Sequence, residues 1–328
     1  MEDKKWIIYI PEFLPPVEPQ KKILDPIAQL KTGEAKNEAD LIYIINSVDA
    51  VLITLRTMMT RTVIEACPNL KVIGKYGTGL ENIDIKAATD MGIPVTNVPG
   101  ANSNATAELT IGLILAVSRR IQEGKNHIKK GGWRDDTLIG FELMGGTIGI
   151  IGYGNIAKLV IRKLQGFEVK KILVFTESKK HEKPEFSNVE FVDFQRLLKE
   201  SEIVSIHKTL FPQTKGLIGE DELRTMRNTS YLINTSRGGL VQEDALIKAL
   251  RQGWIAGAAL DVHEKEPVNL DNPLLSMSNV VLTPHIGAST LKTRLHSVTI
   301  AAQNVADILN GKRPDPKYIV NPEVFKPE

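Results

Sequence analysis

The chain has 328 residues, a formal net charge of +2, 42% hydrophobic and 24% charged residues, and one cysteine, Cys67. That length suits two domains better than one, and the balance of apolar and charged residues excludes disorder on a large scale. With no long basic block, no run of apolar residues long enough to span a bilayer and no second cysteine, neither nucleic-acid binding nor membrane insertion nor an internal disulfide is expected. The opening MEDKKWIIYIPEF lacks a signal-peptide core and cleavage site, so a soluble cytoplasmic protein is expected. The pairs Lys129–Lys130 and Lys179–Lys180 read as solvated surface.

Short apolar runs alternate with helical stretches through the first hundred residues. Strands are expected at 6–10, 50–55, 70–77 and 94–100, with helix-like stretches such as Thr60 to Ala66 between them. This rhythm predicts a parallel sheet covered on both faces. A long apolar helix follows at 106–121, ending in a basic turn. The polar, glycine-rich segment 131–146 reads as a surface crossing into a new unit. Six further strands are expected at 147–151, 171–176, 203–206, 230–234, 256–260 and 279–282, with helices in the gaps. Ser289 to Leu309 reads as one final helix that carries the chain back to the first domain. The tail runs out in Pro and Lys, so no further regulatory domain is expected.

GTIGIIGYGNIA, 146–157, combines a strand, a glycine turn and the start of a helix. Gly152 permits the tight turn, Gly154 lets backbone approach a pyrophosphate, and the N–H groups opening the helix face its charge. Ala157 stands where a third glycine is usual, a change of one methyl. The partner of the adenosine ribose should follow the next strand, at Thr176 or Glu177. An acid there favours NAD, whereas Lys179 and Lys180 just beyond could neutralise the 2′-phosphate of NADP.

Three later strand ends gather chemical side chains. Arg237 follows INTS and offers a planar fork to a carboxylate. Asp261 ends an apolar strand, with Glu266 in the loop beyond. His285 follows Thr283 and Pro284, and a histidine there can exchange a proton with a carbonyl oxygen. Glu266 is the natural carboxylate to fix its tautomer and raise its pKa. His207 also ends a strand-like run and suits a place beside the cofactor or behind the site, while His127, His181, His263 and His296 read as surface or structural. No metal-binding spacing and no hydrolase elbow is present.

Together with NVPGANSNATAE at 97–108, these segments, in this order and spacing, resemble the D-isomer-specific 2-hydroxyacid dehydrogenase family, from about Val51 to Val324. The resemblance implies two Rossmann-like domains with a cleft between them, an inner dinucleotide-binding domain at 102–288 and a discontinuous outer substrate domain at 1–101 plus 289–328. It implies Arg237 as the substrate-binding arginine, His285 as the acid/base and Glu266 as its partner. Asp261 would hold the nicotinamide carboxamide, and Thr106 would lie against the cofactor. Asn155, Ile156, Thr235, Ser236, His207 and His285 itself complete the expected cofactor contacts. Thr78 and Gly79 in KYGTGLENID resemble the carboxylate-binding loop, and Arg56 falls where some members contact the substrate acid or phosphate. A homodimer through the cofactor domain is also implied, with 106–121 and 131–146 in the interface. Lys208 stands where the family usually has proline, adding a charge near the adenine or phosphate side or projecting into solvent.

The resulting expectation is an oxidoreductase working with NAD, or alternatively NADP, on a small 2-keto or D-2-hydroxy acid. Glyoxylate or hydroxypyruvate is favoured and 3-phosphoglycerate is the alternative. Arg56 and Lys75 are the cations available to a phosphate, and Tyr76, Met58 and Met59 could give an apolar substrate a partial wall. A dinucleotide-sensing binding protein is the remaining reading, which the joint presence of Arg237, Glu266 and His285 disfavours.

Overall fold

The computed structural model describes residues 5–12, 14, 16–177 and 184–325. It divides into two compact units, Met1–Asn102 with Ser289–Glu328, and Ser103–Ala288. Lys179, Lys180 and His181 lie outside the described residues.

In the first unit β1 (Trp6–Pro11), α1 (Glu18–Leu24), β2 (Ala28–Gly33), α2 (Glu38–Ile45), β3 (Ala50–Ile53), α3 (Arg61–Glu65), β4 (Val72–Lys75), α4 (Ile85–Asp90) and β5 (Val95–Thr96) alternate along the chain. The five strands form one parallel sheet in the order β2-β1-β3-β4-β5. Side chains alternate across it. Tyr9, Val51, Ile53 and Ile73 join one core cluster, and Ile8, Ile10, Leu52 and Val72 the other. The terminal helix Leu291–Leu309 packs Ala301, Ala302 and Val305 into the second cluster. Gly74 is what lets it approach, because a Cβ there would lie 2.6 Å from Val305 Cγ2. Asn321 then ties the tail to this sheet, accepting from the N–H of Val95 at 2.7 Å.

The second unit holds α5 (Ser103–Ser118), α6 (Ile121–Lys129), β6 (Thr147–Ile151), α7 (Asn155–Leu164), β7 (Lys171–Phe175), β8 (Val189–Phe191), α8 (Phe194–Glu200), β9 (Ile203–Ile206), α9 (Glu220–Thr225), β10 (Tyr231–Asn234), α10 (Glu243–Gln252), β11 (Gly257–Leu260) and β12 (Val280–Leu282). Its parallel sheet runs β12-β11-β10-β9-β6-β7-β8. The order reverses between β6 and β9, and ligands of such sheets bind outside the strand ends at that point. Ile148, Ile150, Ile172 and Val174 pack under α5 and α7, while Leu173, Val204, Leu232 and Ala258 pack under α8, α9 and α10.

Several expectations need correction. β2 was not expected, because an edge strand reading AQLKTG carries little apolar signal. β8 was missed for the same reason; it is three residues long at one edge of the second unit's sheet. The strands expected at 50–55, 70–77 and 94–100 end earlier, at Ile53, Lys75 and Thr96, and the residues beyond form the loops that carry Arg56, Thr78 and Gly79. The helix expected at 106–121 begins at Ser103 and stops at Ser118. Its basic turn is a corner instead: Arg120 takes a left-handed φ of 51° and α6 starts anew. Between β11 and β12 the described chain holds a loop and a 3-10 turn, Pro273–Ser276, where a helix was expected.

Candidate active site

The cofactor motif is built from two glycines with different duties. Gly152 follows β6 at φ 100°, and a Cβ there would lie 2.3 Å from the carbonyl oxygen of His207. Only glycine allows the chain leaving β9 to close on this turn. Gly154, the N-cap of α7, has no atom within 4 Å of where its Cβ would be, and no side chain caps the helix turn begun by Asn155 and Ile156. Open space over uncapped helix N–H groups is what a pyrophosphate requires. Ala157 is fully buried in the core, so its extra methyl is accommodated.

His207 sits beside this turn. Its N–H donates to Ile151 O at 2.7 Å, and its Nε2 lies 2.9 Å from Ser205 Oγ. Burial lowers its pKa to about 4, so the ring is neutral near pH 7. Its buried Nδ1 has no partner among the described residues, a polar atom that a ligand could satisfy. These features fit a bound dinucleotide.

Past β7, Thr176 is half-buried and Glu177 exposed, with Glu177 Oε2 3.0 Å from Lys208 Nζ. Lys208 therefore does not project into solvent. Thr235 and Ser236 use their hydroxyls within the protein. Thr110 Oγ1 donates to Thr106 O at 2.8 Å, which leaves Thr235 as donor in the 2.9 Å Thr110–Thr235 contact. Ser236 Oγ donates to Ile206 O at 2.8 Å. Thr106 itself is buried on α5, next to Gly287.

Arg237, Asp261 and His285 follow β10, β11 and β12, three adjacent strands. Asn234 shapes the arginine turn, accepting from Ser236 N at 3.0 Å and donating to Arg237 O at 2.9 Å. Arg237 is half-buried, and its Nη1 donates to Ser236 O at 2.7 Å. A Cβ on Gly238 would lie 1.9 Å from His263 O, so the arginine turn and the loop leading to Glu266 touch backbone to backbone.

Asp261 builds the histidine loop. Its carboxylate accepts from Thr283 Oγ1 at 2.7 Å and from the N–H groups of Ile286 and Gly287 at 2.8 Å each, while its carbonyl accepts from His285 N at 2.8 Å. This over-determined loop holds His285 at a left-handed φ of 54°. His285 Nδ1 lies 2.7 Å from Glu266 Oε2, and Glu266 Oε1 accepts from His263 N at 3.0 Å. A carboxylate only accepts, so the proton of this contact sits on Nδ1 and Nε2 faces away from Glu266. The hydrogen bond to Glu266 raises the His285 pKa against the opposing effect of burial, with the Glu266 and Asp261 charges adding and the Arg237 charge subtracting. Burial alone would push Glu266 up, but His285, the His263 N–H and their charges together hold it below the usual carboxylate range.

Sequence reasoning left out Thr283, Gly238 and His263 as builders of this site. His263 is buried, with Nε2 donating to Thr283 O at 3.1 Å. The glycine pair after Arg237 was a visible signal for the close approach; nothing in the sequence marked His263.

In the first unit Arg56 is exposed in the turn after β3. The loop after β4 turns at Gly77, φ 108°, and is stapled by Val98 N donating to Gly77 O at 2.9 Å and Asn97 Nδ2 to Thr78 O at 3.0 Å. The N–H groups of Thr78 and Gly79 donate to no protein atom among the described residues. Met59 is fully buried in the core and Tyr76 accepts a hydrogen bond from Gln20, so the apolar wall expected of Tyr76, Met58 and Met59 reduces to half-exposed Met58.

Residues 111–287 match the family model described as D-isomer specific 2-hydroxyacid dehydrogenase, NAD binding domain. The chain is 42% identical over 327 residues to a glyoxylate reductase of Thermofilum pendens, covering 97% of this chain and 95% of the other. It is 39% identical over 283 residues to a D-3-phosphoglycerate dehydrogenase of Archaeoglobus fulgidus, covering 86% of this chain and 53% of that longer protein. Among solved structures, an acyclic imino acid reductase in complex with NADPH and D-Arg superposes with a TM-score of 0.83 at 28% identity, covering 96% of each chain or more. The chain belongs to the D-isomer specific 2-hydroxyacid dehydrogenase family, whose enzymes use a nicotinamide dinucleotide to interconvert small 2-keto and 2-hydroxy acids.

Proposed function

We propose that this enzyme reduces glyoxylate or hydroxypyruvate to the corresponding 2-hydroxy acid, with His285 as proton donor, Glu266 as its partner and Arg237 as the carboxylate anchor. The observation that carries the reading is the 2.7 Å His285–Glu266 contact on a loop braced by Asp261, one strand removed from the Arg237 turn. The reduced nicotinamide supplies the hydride. Gly152, Gly154, Asn155 and Ile156 would take its pyrophosphate, and Thr176 or Glu177 its adenosine ribose. Thr106, His207, Thr235, Ser236 and Asp261 would line the rest. Glu266 keeps the Nδ1 proton in place, so Nε2 carries the proton that neutralises the developing alkoxide. Arg237 presents a planar fork to the carboxylate, and the N–H groups of Thr78 and Gly79 are the proposed substrate contacts of the first unit.

The preference for an unphosphorylated acid rests on Lys75. It is 2% exposed and donates to Asn82, which in turn donates to Thr54 O at 2.8 Å. This lysine is part of the loop's own framework and is not presented to a phosphate, whereas Arg56 is exposed. In a panel of keto acids with NADH and NADPH, glyoxylate or hydroxypyruvate should exceed phosphohydroxypyruvate in kcat/KM by about tenfold or more. Phosphohydroxypyruvate ahead of both, with the advantage lost in Arg56→Ala, would establish the phosphoglycerate alternative.

A homodimer through the dinucleotide-binding unit is part of the same proposal. Ile121, Ile128, Trp133, Ile139 and Met144, each 59–79% exposed, lie in or between the two segments proposed for the interface. Sedimentation should report twice the chain mass, and Ile128→Asp should shift it toward the monomer; a wild-type monomer at micromolar concentration refutes the assembly. The cytoplasm is proposed as the compartment, since a single cysteine, the buried Cys67, can form no internal disulfide.

A further inference from the structure

Lys208 and Glu177 come from different strands and meet over the cofactor turn. In the sheet β6 lies between β9 and β7. Lys208 stands two residues past the end of β9, and Glu177 two past the end of β7. Their 3.0 Å ion pair therefore bridges the end of β6, where the Gly152 turn begins. The two partners differ in freedom. The Lys208 side chain is 15% exposed, with its amine 5.7 Å from the centre of the Phe175 ring, whereas Glu177 is 70% exposed. The ammonium is the anchored member and the carboxylate the free one.

A lone carboxylate after the second strand accepts from ribose hydroxyls and repels a phosphate. Here that carboxylate is neutralised by an ammonium with three donor protons. Toward a free 2′-hydroxyl, the outer oxygen of Glu177 can accept while the ion pair persists. Toward a 2′-phosphate, the ammonium can turn to the phosphate oxygens while Glu177 swings into water. We infer that Lys208 determines cofactor specificity: paired with Glu177 across the end of β6, it makes the ribose site accept a 2′-phosphate as well as a 2′-hydroxyl. The inference rests on the dinucleotide reading of this site and adds to it the residue that sets the choice between NADH and NADPH.

The test is binding, without turnover. NADH and NADPH are titrated by fluorescence into wild type, Lys208→Met and Glu177→Gln, with AMP and adenosine 2′,5′-bisphosphate as competing probes. Methionine keeps the stem over Phe175 and removes the charge. The wild type should bind both dinucleotides, with Kd values within about tenfold of each other. Lys208→Met should weaken NADPH and the bisphosphate by about tenfold while moving NADH and AMP by less than about threefold. Glu177→Gln should move the ratio the other way. Equal weakening of all four ligands by Lys208→Met would show a general role in binding or folding and overturn the inference, as would an unchanged ratio. A wild-type protein that binds neither dinucleotide overturns the cofactor reading itself, and this inference with it.

Discussion

Replacing His285 is expected to lower kcat for keto-acid reduction by about 10²–10⁴ while the dinucleotide still binds. The expectation follows from where the ring stands. Its Nδ1 is taken by Glu266 at 2.7 Å, its backbone N–H by Asp261 O, and its position follows β12 at the ligand end of the sheet. The choice of substitution matters because the residue sits at φ 54°. Asparagine tolerates that conformation better than alanine, so His285→Asn separates loss of the proton donor from strain in the loop. Both variants should keep NADH affinity by fluorescence titration and lose turnover in the absorbance assay. Near-normal kcat in His285→Asn would remove this histidine from the chemistry.

The residues proposed to do the chemistry were more legible than the framework that places them. Arg237, Asp261 and His285 could be read because each follows a run of apolar residues at a strand end, where side chains face a ligand. Gly152 and Gly154 could be read because strand, turn and helix follow one another directly. The local sequence does not carry the contacts between segments far apart. That Gly238 must be glycine is decided by His263 O, 25 residues on. That Asp261 braces the His285 loop depends on N–H groups of residues 286 and 287, brought near only by the pairing of β11 with β12. The same limit explains Lys208. Its charge was visible, but its partner comes from a strand two positions away in the sheet. Of the four edge strands, β5 and β12 were expected but β2 and β8 were not, since the latter two are half exposed and lack the apolar runs that marked the other strands.

Glu266→Gln should shift the pH dependence as well as reduce the rate. The site asks for two acceptors from this side chain, one for His263 N–H at 3.0 Å and one for His285 Nδ1–H at 2.7 Å. Glutamine has a single acceptor oxygen, so one of the two donors must face an NH₂ group. The histidinium loses its partner, and the pKa that Glu266 holds above the ordinary histidine value falls. The sign follows from which form works in each direction. Reduction needs the protonated ring, so its kcat/KM is high below the His285 pKa and declines as pH rises through it. Oxidation of the 2-hydroxy acid needs the neutral ring and rises through the same pKa. Lowering that pKa moves both limbs to lower pH. At neutral pH reduction should fall by about 10–100-fold, the range for losing a hydrogen bond to a charged group, and oxidation should fall less. Parallel displacement of both limbs is the signature of a titrating partner, whereas a uniform loss with unmoved limbs would mean that Glu266 only shapes the loop through His263. Glu266→Asp supplies the check: it restores the charge on a shorter arm, so the limbs should return toward their wild-type positions even where kcat does not.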